Sequence, residues 1–271
     1  MIPINIDPTL FSLGPLVISW HGFFSAVGLG IGMWLTARLV QGTAMTADDV
    51  YSIALVGVPG GIVGARLLYV LENAHQYANN PLGVLAINEG GISIYGAVIG
   101  GTLAGYIYAR ITHRPIGLLA DRAMIGMLLG QGIGRLGDII NGEHHGQNAP
   151  DLPFSVSYTH PNTLGEYGVP AHLAVAYELV YDMVFAWLLY RLLRRQPRDG
   201  MTFVAYQFIY GFGRLWVGFF RKDNIVQSLG GIDLGMAQSL GLLGMIVAAP
   251  WFIWLLRSTH TASRAERRRA S

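Results

Sequence analysis

Apolar residues run along this chain in blocks of about twenty, separated by short polar stretches. Three blocks carry no charge: residues 16–37 (22 residues), 90–109 (20) and 234–256 (23). A helix needs about 20 apolar residues to cross a bilayer, so each block predicts a transmembrane helix. Four further blocks each hold a few charges. Block 50–71 holds Arg66, and 116–140 holds Asp121, Arg122, Arg135 and Asp138. Block 172–190 holds Glu178 and Asp182, and 201–220 holds Arg214. The pattern predicts an all-α polytopic membrane protein of seven transmembrane helices. The first block is not a signal peptide, because no basic residue precedes it and it exceeds the ~7–15 residues of an h-region.

Composition supports the bilayer. Of 271 residues, 52% are apolar and 13% charged, where a soluble domain carries about 25% charged residues. Lys and Arg then set orientation. Twelve of them (Arg38, Arg110, Arg114, Arg191, Arg194, Arg195, Arg198, Arg257, Arg264, Arg267, Arg268 and Arg269) fall in alternate connections and the tail. The opposite side holds Arg221 and Lys222. The expected arrangement puts the N-terminus outside and the C-terminus in the cytoplasm. Residues 1–260 form the membrane domain, and 261–271 form a basic cytoplasmic tail that is either topogenic or in contact with anionic headgroups. The connection 141–171, rich in Pro, Asn, Gly and His, is too long to lack structure in a compact protein. It reads as a small extracytoplasmic cap between helices four and five, with a short strand at 154–158.

Of 36 glycines, several stand four apart within the spans: Gly60 and Gly64, Gly96 and Gly100, Gly101 and Gly105, Gly126 and Gly130. That spacing lets helix backbones approach closely in lipid. Cysteine is absent, which excludes disulfides, a thiolate nucleophile and a Cys metal site. Any thiol chemistry must use a thiol borne by a substrate. A net charge of +2 gives no reason to expect nucleic acid as a partner.

Arg135 is the most informative single residue. It lies in a membrane block, where an arginine costs roughly 2.5–3.5 kcal/mol on insertion scales. Such a group needs a polar partner or a polar ligand. Arg214 is a second intramembrane arginine near the same end, in Tyr210-Gly-Phe-Gly-Arg-Leu-Trp, with Arg221 two turns beyond. Two guanidinium groups on different helices suit an anionic group, and the anion found at that depth is a phospholipid phosphate. Glu143 follows Arg135 by eight residues, about 12 Å along a continuous helix, and closer once Asn141-Gly142 breaks it. The pair reads equally as a phosphate site and as a buried structural ion pair. Arg66 reads as structural, paired with Glu72 or reaching the interface. Glu178 and Asp182 also read as structural, with Arg66, Arg122 or Arg214 as partners. His21 in Ser19-Trp-His-Gly22 can take a proton near neutral pH, and Tyr95 sits in an equivalent apolar setting. Adjacent His144 and His145 lack helical metal-ligand spacing, so no metal is expected. Gly132-Ile-Gly134-Arg-Leu-Gly137 matches a dinucleotide fingerprint but lacks the strand and soluble βαβ unit that reading needs.

The central segment Gly134-Arg-Leu-Gly-Asp-Ile-Ile-Asn-Gly-Glu-His-His-Gly146 resembles the signature of the prolipoprotein diacylglyceryl transferases, Gly-Arg-x-Gly-Asn-Phe-x-Asn-x-Glu-x-x-Gly, with its spacing intact. Ser19-Trp-His-Gly22, Gly64-Ala-Arg-Leu67, Gly90-Gly-Ile-Ser-Ile-Tyr-Gly96 and Tyr210-Gly-Phe-Gly-Arg-Leu-Trp216 are similar to further family segments, over residues 16–221. The resemblance implies transfer of a diacylglyceryl group from phosphatidylglycerol to the lipobox cysteine thiol of a preprolipoprotein. A thioether forms and glycerol phosphate leaves, with no cofactor. It implies Arg135, Glu143 and Arg214 as catalytic residues, with His21 or Tyr95 assisting thiol deprotonation. It also implies phosphatidylglycerol contacts from Arg135, Asp138, Gly146, Tyr210 and Arg214. The chain departs from the family at several points. His21 stands where the family has Tyr, Tyr95 where it has His, and Asp138 where it has Asn. If the first two are an exchange that keeps the chemistry, they share a cavity. A membrane transporter and a non-catalytic relative that only binds anionic lipid are the alternatives.

Overall fold

The structure, a computed structural model, describes residues 1–14, 16–77, 81–85, 90–222, 225–229 and 231–270. Its helices are α1 (Trp20–Leu39), α2 (Ala47–Glu72), α3 (Ala74–Tyr77), α4 (Ile94–Ile111), α5 (Ile116–Asn141), α6 (Ala174–Leu193), α7 (Met201–Gly218) and α8 (Met236–Ala270), with a 3-10 turn at Pro81–Leu85. The protein is therefore mostly helical. Among the described residues, four helical segments are long and apolar enough to cross a membrane: Trp20–Leu39, Ala47–Glu72, Ile116–Asn141 and Met236–Ser258. The expected seven-helix count is not reproduced as such. The described residues form eight helices, of which α3 is a single turn following the break at Asn73.

The all-α expectation also needs correction. Among the described residues six short strands pair into three two-stranded sheets. β1 (Ile2–Ile4) runs parallel to β4 (Val156–Tyr158), so the strand expected at 154–158 is present but shorter. β2 (Thr9–Leu13) and β3 (Leu16–Ser19) form a hairpin, and β5 (Ile225–Leu229) and β6 (Ile232–Gly235) form another. Gly14 (φ +59°) and Gly231 (φ +86°) take the left-handed turns these hairpins require. These hairpins consume the first residues of two apolar blocks, so α1 begins at Trp20 and α8 at Met236 rather than at 16 and 234. Backbone that leaves a helix must find other partners, and a hairpin supplies them.

The chain divides into two compact units, 36–119 and the remainder. In unit 36–119, Thr46 caps α2 in a reciprocal box with Asp49. Gly60 and Gly64 of α2 meet Gly96 and Gly100 of α4 so closely that a Cβ on any of them would strike the partner helix. Arg66 is buried and donates to the carbonyls of Gly83, Val84, Gly90 and Gly91 at 2.6–2.8 Å. Its expected role is structural, and its partners are these carbonyls rather than Glu72.

In the larger unit, α1 and α5 cross at glycines. Gly28 faces Gly130, Gly32 faces Gly126, and Gly137 faces the backbone of Trp20 and His21. Asp121, fully buried in α5, caps α7 from outside, accepting from the amides of Gly200 (2.7 Å) and Phe203 (2.8 Å) and from Gln196 Nε2 (2.6 Å). The stretch following α5 is ordered. Gly142 (φ +79°) ends the helix, and Tyr158 donates to the Ile139 carbonyl. Gln147 N donates to Phe220 O (2.8 Å) and Lys222 N to His145 O (2.9 Å), tying this stretch to the end of α7. α8 continues as helix through Ala270, so the backbone of the expected tail is helical. Side chains from 259 onward, and Ser271, lie outside the described residues.

Candidate active site

Arg135 and Asp138 lie one turn apart on α5 and therefore share a face. Arg135 Nη1 donates to Asp138 Oδ2 at 2.6 Å, and Nη2 lies 2.7 Å from Glu178 Oε2 on α6. Arg214 of α7 bonds Glu178 Oε1 through Nη1. Arg221, just past α7, reaches the same oxygen at 3.3 Å. Glu178 is 5% exposed, and three arginines converge on it. These ion pairs set three guanidinium groups against two carboxylates. Buried charges persist only when paired and hydrogen-bonded, so each of these groups holds the others in place, with Asp182 a further buried carboxylate beside them.

Beside it lies a narrow cleft with room for about one water (roughly 10 Å³), walled by Gln131, Arg135, Glu178, Tyr181, Asp182, Tyr210, Gly213, Arg214 and Val217. Three polar atoms of its walls, Arg135 Nε, Gln131 Oε1 and Glu178 Oε2, are buried and make no hydrogen bond among the described residues, although Glu178 Oε2 is ion-paired with Arg135 Nη2. A buried donor left unmet costs about 1–3 kcal/mol. Tyr210 stacks on Tyr206, with ring centres 5.5 Å apart, which fixes the aromatic wall.

Asp138 is the second hub. Its Oδ1 bonds His21 Nδ1 of α1, its Oδ2 holds Arg135, and His144 Nε2 lies 3.7 Å from Oδ2. The glycine crossing of α1 on α5 brings His21 there, since Gly137 leaves no Cβ between them. Glu143 does not pair with Arg135 as the spacing allowed. It accepts from Asn141 Nδ2 (2.9 Å), and its Oε2 is 3.6 Å from His21 Nδ1. His21, Asp138 and Glu143 have the composition of a metal site, with ligand atoms within 4.8 Å of one another. The Arg135 guanidinium on Asp138 opposes a second cation there.

Gly146 is buried against the His172 carbonyl, where a Cβ would clash, and bridges to Arg221. Tyr95 belongs to the other unit, in the first turn of α4, with a half-exposed ring. The larger unit thus gathers Arg135, Asp138, Tyr210, Arg214, His21 and Glu143 along one network.

The sequence marks Glu178 only as a structural residue and Arg221 only by its place two turns beyond Arg214. Of the expected partners of Glu178, Arg214 is found, and Arg135 and Arg221 join it. The seven-residue interval from Arg214 to Arg221, two helical turns, is the signal that both face one site.

His144 stands outside the spans and offers a pH readout. Arg221 Nη2 lies 3.1 Å from His144 Nδ1. Arginine only donates, so Nδ1 carries the lone pair and the ring is neutral. Withdrawal from solvent, then the charge of Arg221, holds the His144 pKa below its ordinary value, while Asp138 and Glu178 oppose that and Arg135 adds to it. The unfolded imidazole takes its proton near pH 6.5, whereas the folded one resists. The contribution of neutral His144 is therefore complete above about pH 6.5 and is lost as pH falls below it. His144→Asn suits the left-handed backbone (φ +58°). Thermal melts from pH 7.5 down to 5 are expected to fall less steeply for this variant than for the wild type.

The family model for prolipoprotein diacylglyceryl transferase matches residues 8–254. The chain is similar to phosphatidylglycerol–prolipoprotein diacylglyceryl transferase of Dehalococcoides mccartyi, 37% identical over 258 residues, covering 95% of this chain and 96% of that protein. The enzymes of the same name from Nostoc sp. (36%, 92% of this chain and 89% of that protein) and Clostridioides difficile (34%, 89% and 92%) are also similar.

Proposed function

The chain belongs to the prolipoprotein diacylglyceryl transferase family, and from that premise we propose how its own side chains carry the reaction. It is a membrane transferase of lipoprotein biosynthesis that moves a diacylglyceryl group from phosphatidylglycerol to a prolipoprotein. In our reading the acceptor is the thiol of a lipobox cysteine, since the chain brings no cysteine of its own. The thiolate displaces glycerol phosphate from C3 of the diacylglyceryl group, in line, leaving a thioether.

The observation that supports this reading is the convergence of Arg135 and Arg214 on Glu178 beside a cleft that both arginines help to wall. In this reading the phosphate of the lipid binds at that cleft as its walls part, held by both guanidinium groups and Tyr210. Charge builds on the departing phosphate, and donors already aimed at it supply the large electrostatic term in such reactions. Glu143 orients the headgroup or the base, and Gly146 lets the cap backbone pack closely beside it. Asp138, with both oxygens engaged, acts through Arg135 and His21. His21 takes the thiol proton, and Tyr95 remains a candidate for that step on the family resemblance alone. Displacement of a phosphate by a thiolate needs neither metal nor organic cofactor.

The protein resides in a bacterial membrane. We place it in the plasma membrane with seven spans, N-terminus outside, C-terminus in the cytoplasm and the site towards the outer face. The twelve-to-two asymmetry of basic residues supports that orientation. The direct test is transfer by purified protein in phosphatidylglycerol vesicles to a lipobox peptide. A thioether-linked diacylglyceryl peptide and free glycerol phosphate are expected in equal amounts. Lipid binding without product would leave a non-catalytic lipid binder.

A further inference from the structure

We propose that Asp138 is a positioning residue that makes His21 the proton acceptor in this chain and couples that base to the phosphate-binding Arg135. The proposal rests on the transferase reading above and adds a role for Asp138 and a choice of His21 over Tyr95.

Geometry carries it. An ionised carboxylate only accepts hydrogen bonds, so the bond from His21 Nδ1 to Asp138 Oδ1 puts the ring proton on Nδ1. Nε2 is left with its lone pair, and among the described residues it has no partner. The His21 side chain is 42% exposed, so Nε2 is reachable. Asp138 is 1% exposed and cannot turn away, because Oδ2 is fixed by Arg135 on the same helix. A base oriented by a third group is the general form of an activated nucleophile's partner.

The residue types at these two positions depend on each other. An amide at 138 would give its oxygen to Arg135 and turn its NH₂ towards Nδ1. The ring would then carry its proton on Nε2, and no lone pair would face the substrate. An imidazole at 21 therefore demands an acid at 138. These are two of the points where the chain departs from the family signature, and the fold brings them into contact.

The proton balance closes. The thiol proton passes to Nε2, and sulfur bonds to C3 as the C3–O bond breaks, its electron pair going to the phosphate oxygen. The Nε2 proton then passes to the departing glycerol phosphate, which restores neutral His21. The charged groups facing His21 are Asp138, Glu143 and Arg135, all on α5 or the turn that ends it.

The test is steady-state transfer from phosphatidylglycerol vesicles to a lipobox peptide, with His21→Asn, Asp138→Asn and the double variant, from pH 6 to 9.5. His21→Asn is expected to lower kcat by about 10²-fold near pH 7, the low end for a general base. Its loss shrinks as pH approaches about 8.5, where a thiol ionises unaided. Asp138→Asn is expected to lower kcat at least about tenfold with KM for the lipid within about threefold, and to cost under about threefold more when added to His21→Asn, because the two act as a unit. Additive losses, or a His21→Asn loss that is the same at pH 7 and 9.5, would overturn the proposal. So would a rate abolished by chelator and restored by a divalent cation, which would make His21, Asp138 and Glu143 metal ligands. Should Asp138→Asn fail to fold, the pH profile of His21→Asn still decides. A wild-type protein that transfers nothing at any pH would instead defeat the transferase reading itself.

Discussion

Replacing Arg135 with alanine is expected to lower the rate of diacylglyceryl transfer by about 10²–10³-fold, the usual consequence of removing one preorganised donor from developing negative charge. The guanidinium does three things at once. It holds Asp138 through Nη1, approaches Glu178 through Nη2, and keeps Nε unmet at the cleft wall. The first two contacts fix the third, so the donor is in place before the phosphate arrives. Lysine should not rescue the rate. A single ammonium cannot span both carboxylates and also present a planar fork to a phosphate. Arg214 and Arg221 still neutralise Glu178 in the variant, so the bundle should fold, and a melt in detergent checks that it does. Initial rates in phosphatidylglycerol vesicles read the effect. An Arg135→Ala protein within threefold of wild type would remove this guanidinium from the chemistry.

Much of this site was legible because ionisable groups stand out in apolar blocks. Arg135, Asp138 and Arg214 interrupt runs that lipid would otherwise surround, and each interruption is a polar site. The helices were legible for the same reason, and they fall within a few residues of their blocks. The strands were not, since three to five residues carry too little alternation to separate strand from the end of a span. Glu178 was legible as an anomaly but not as a hub. Its partners come from α5 and α7, and helix packing rather than spacing decides which arginines arrive. The contact of His21 with Asp138 spans 117 positions and exists because glycines let α1 lie on α5. The Gly126 and Gly130 pair announced a close approach, yet its counterpart, Gly28 and Gly32, sits among many glycines and does not identify itself. Arg135 and Glu143 show the opposite case, where favourable spacing produced no pair because Gly142 turns the chain away.

Glu178→Gln is expected to give the second large effect, and its sign differs for binding and for catalysis. The amide keeps the shape and one acceptor oxygen but removes the charge that three arginines share. Breaking a buried ion pair from one side typically costs about 3–5 kcal/mol, so the lipid-free variant should melt well below wild type. An anionic headgroup restores the missing charge. Phosphatidylglycerol should therefore raise the melting temperature of Glu178→Gln more than that of wild type, because a ligand stabilises the state it binds best. The same excess of positive charge should keep KM for the lipid at or below the wild-type value. kcat should fall by at least about tenfold, because the guanidinium groups now relax onto the ground-state phosphate instead of waiting for the charge that develops later. A variant with raised KM and unchanged kcat would mean that Glu178 serves binding alone, and that something else sets the arginines for the reaction.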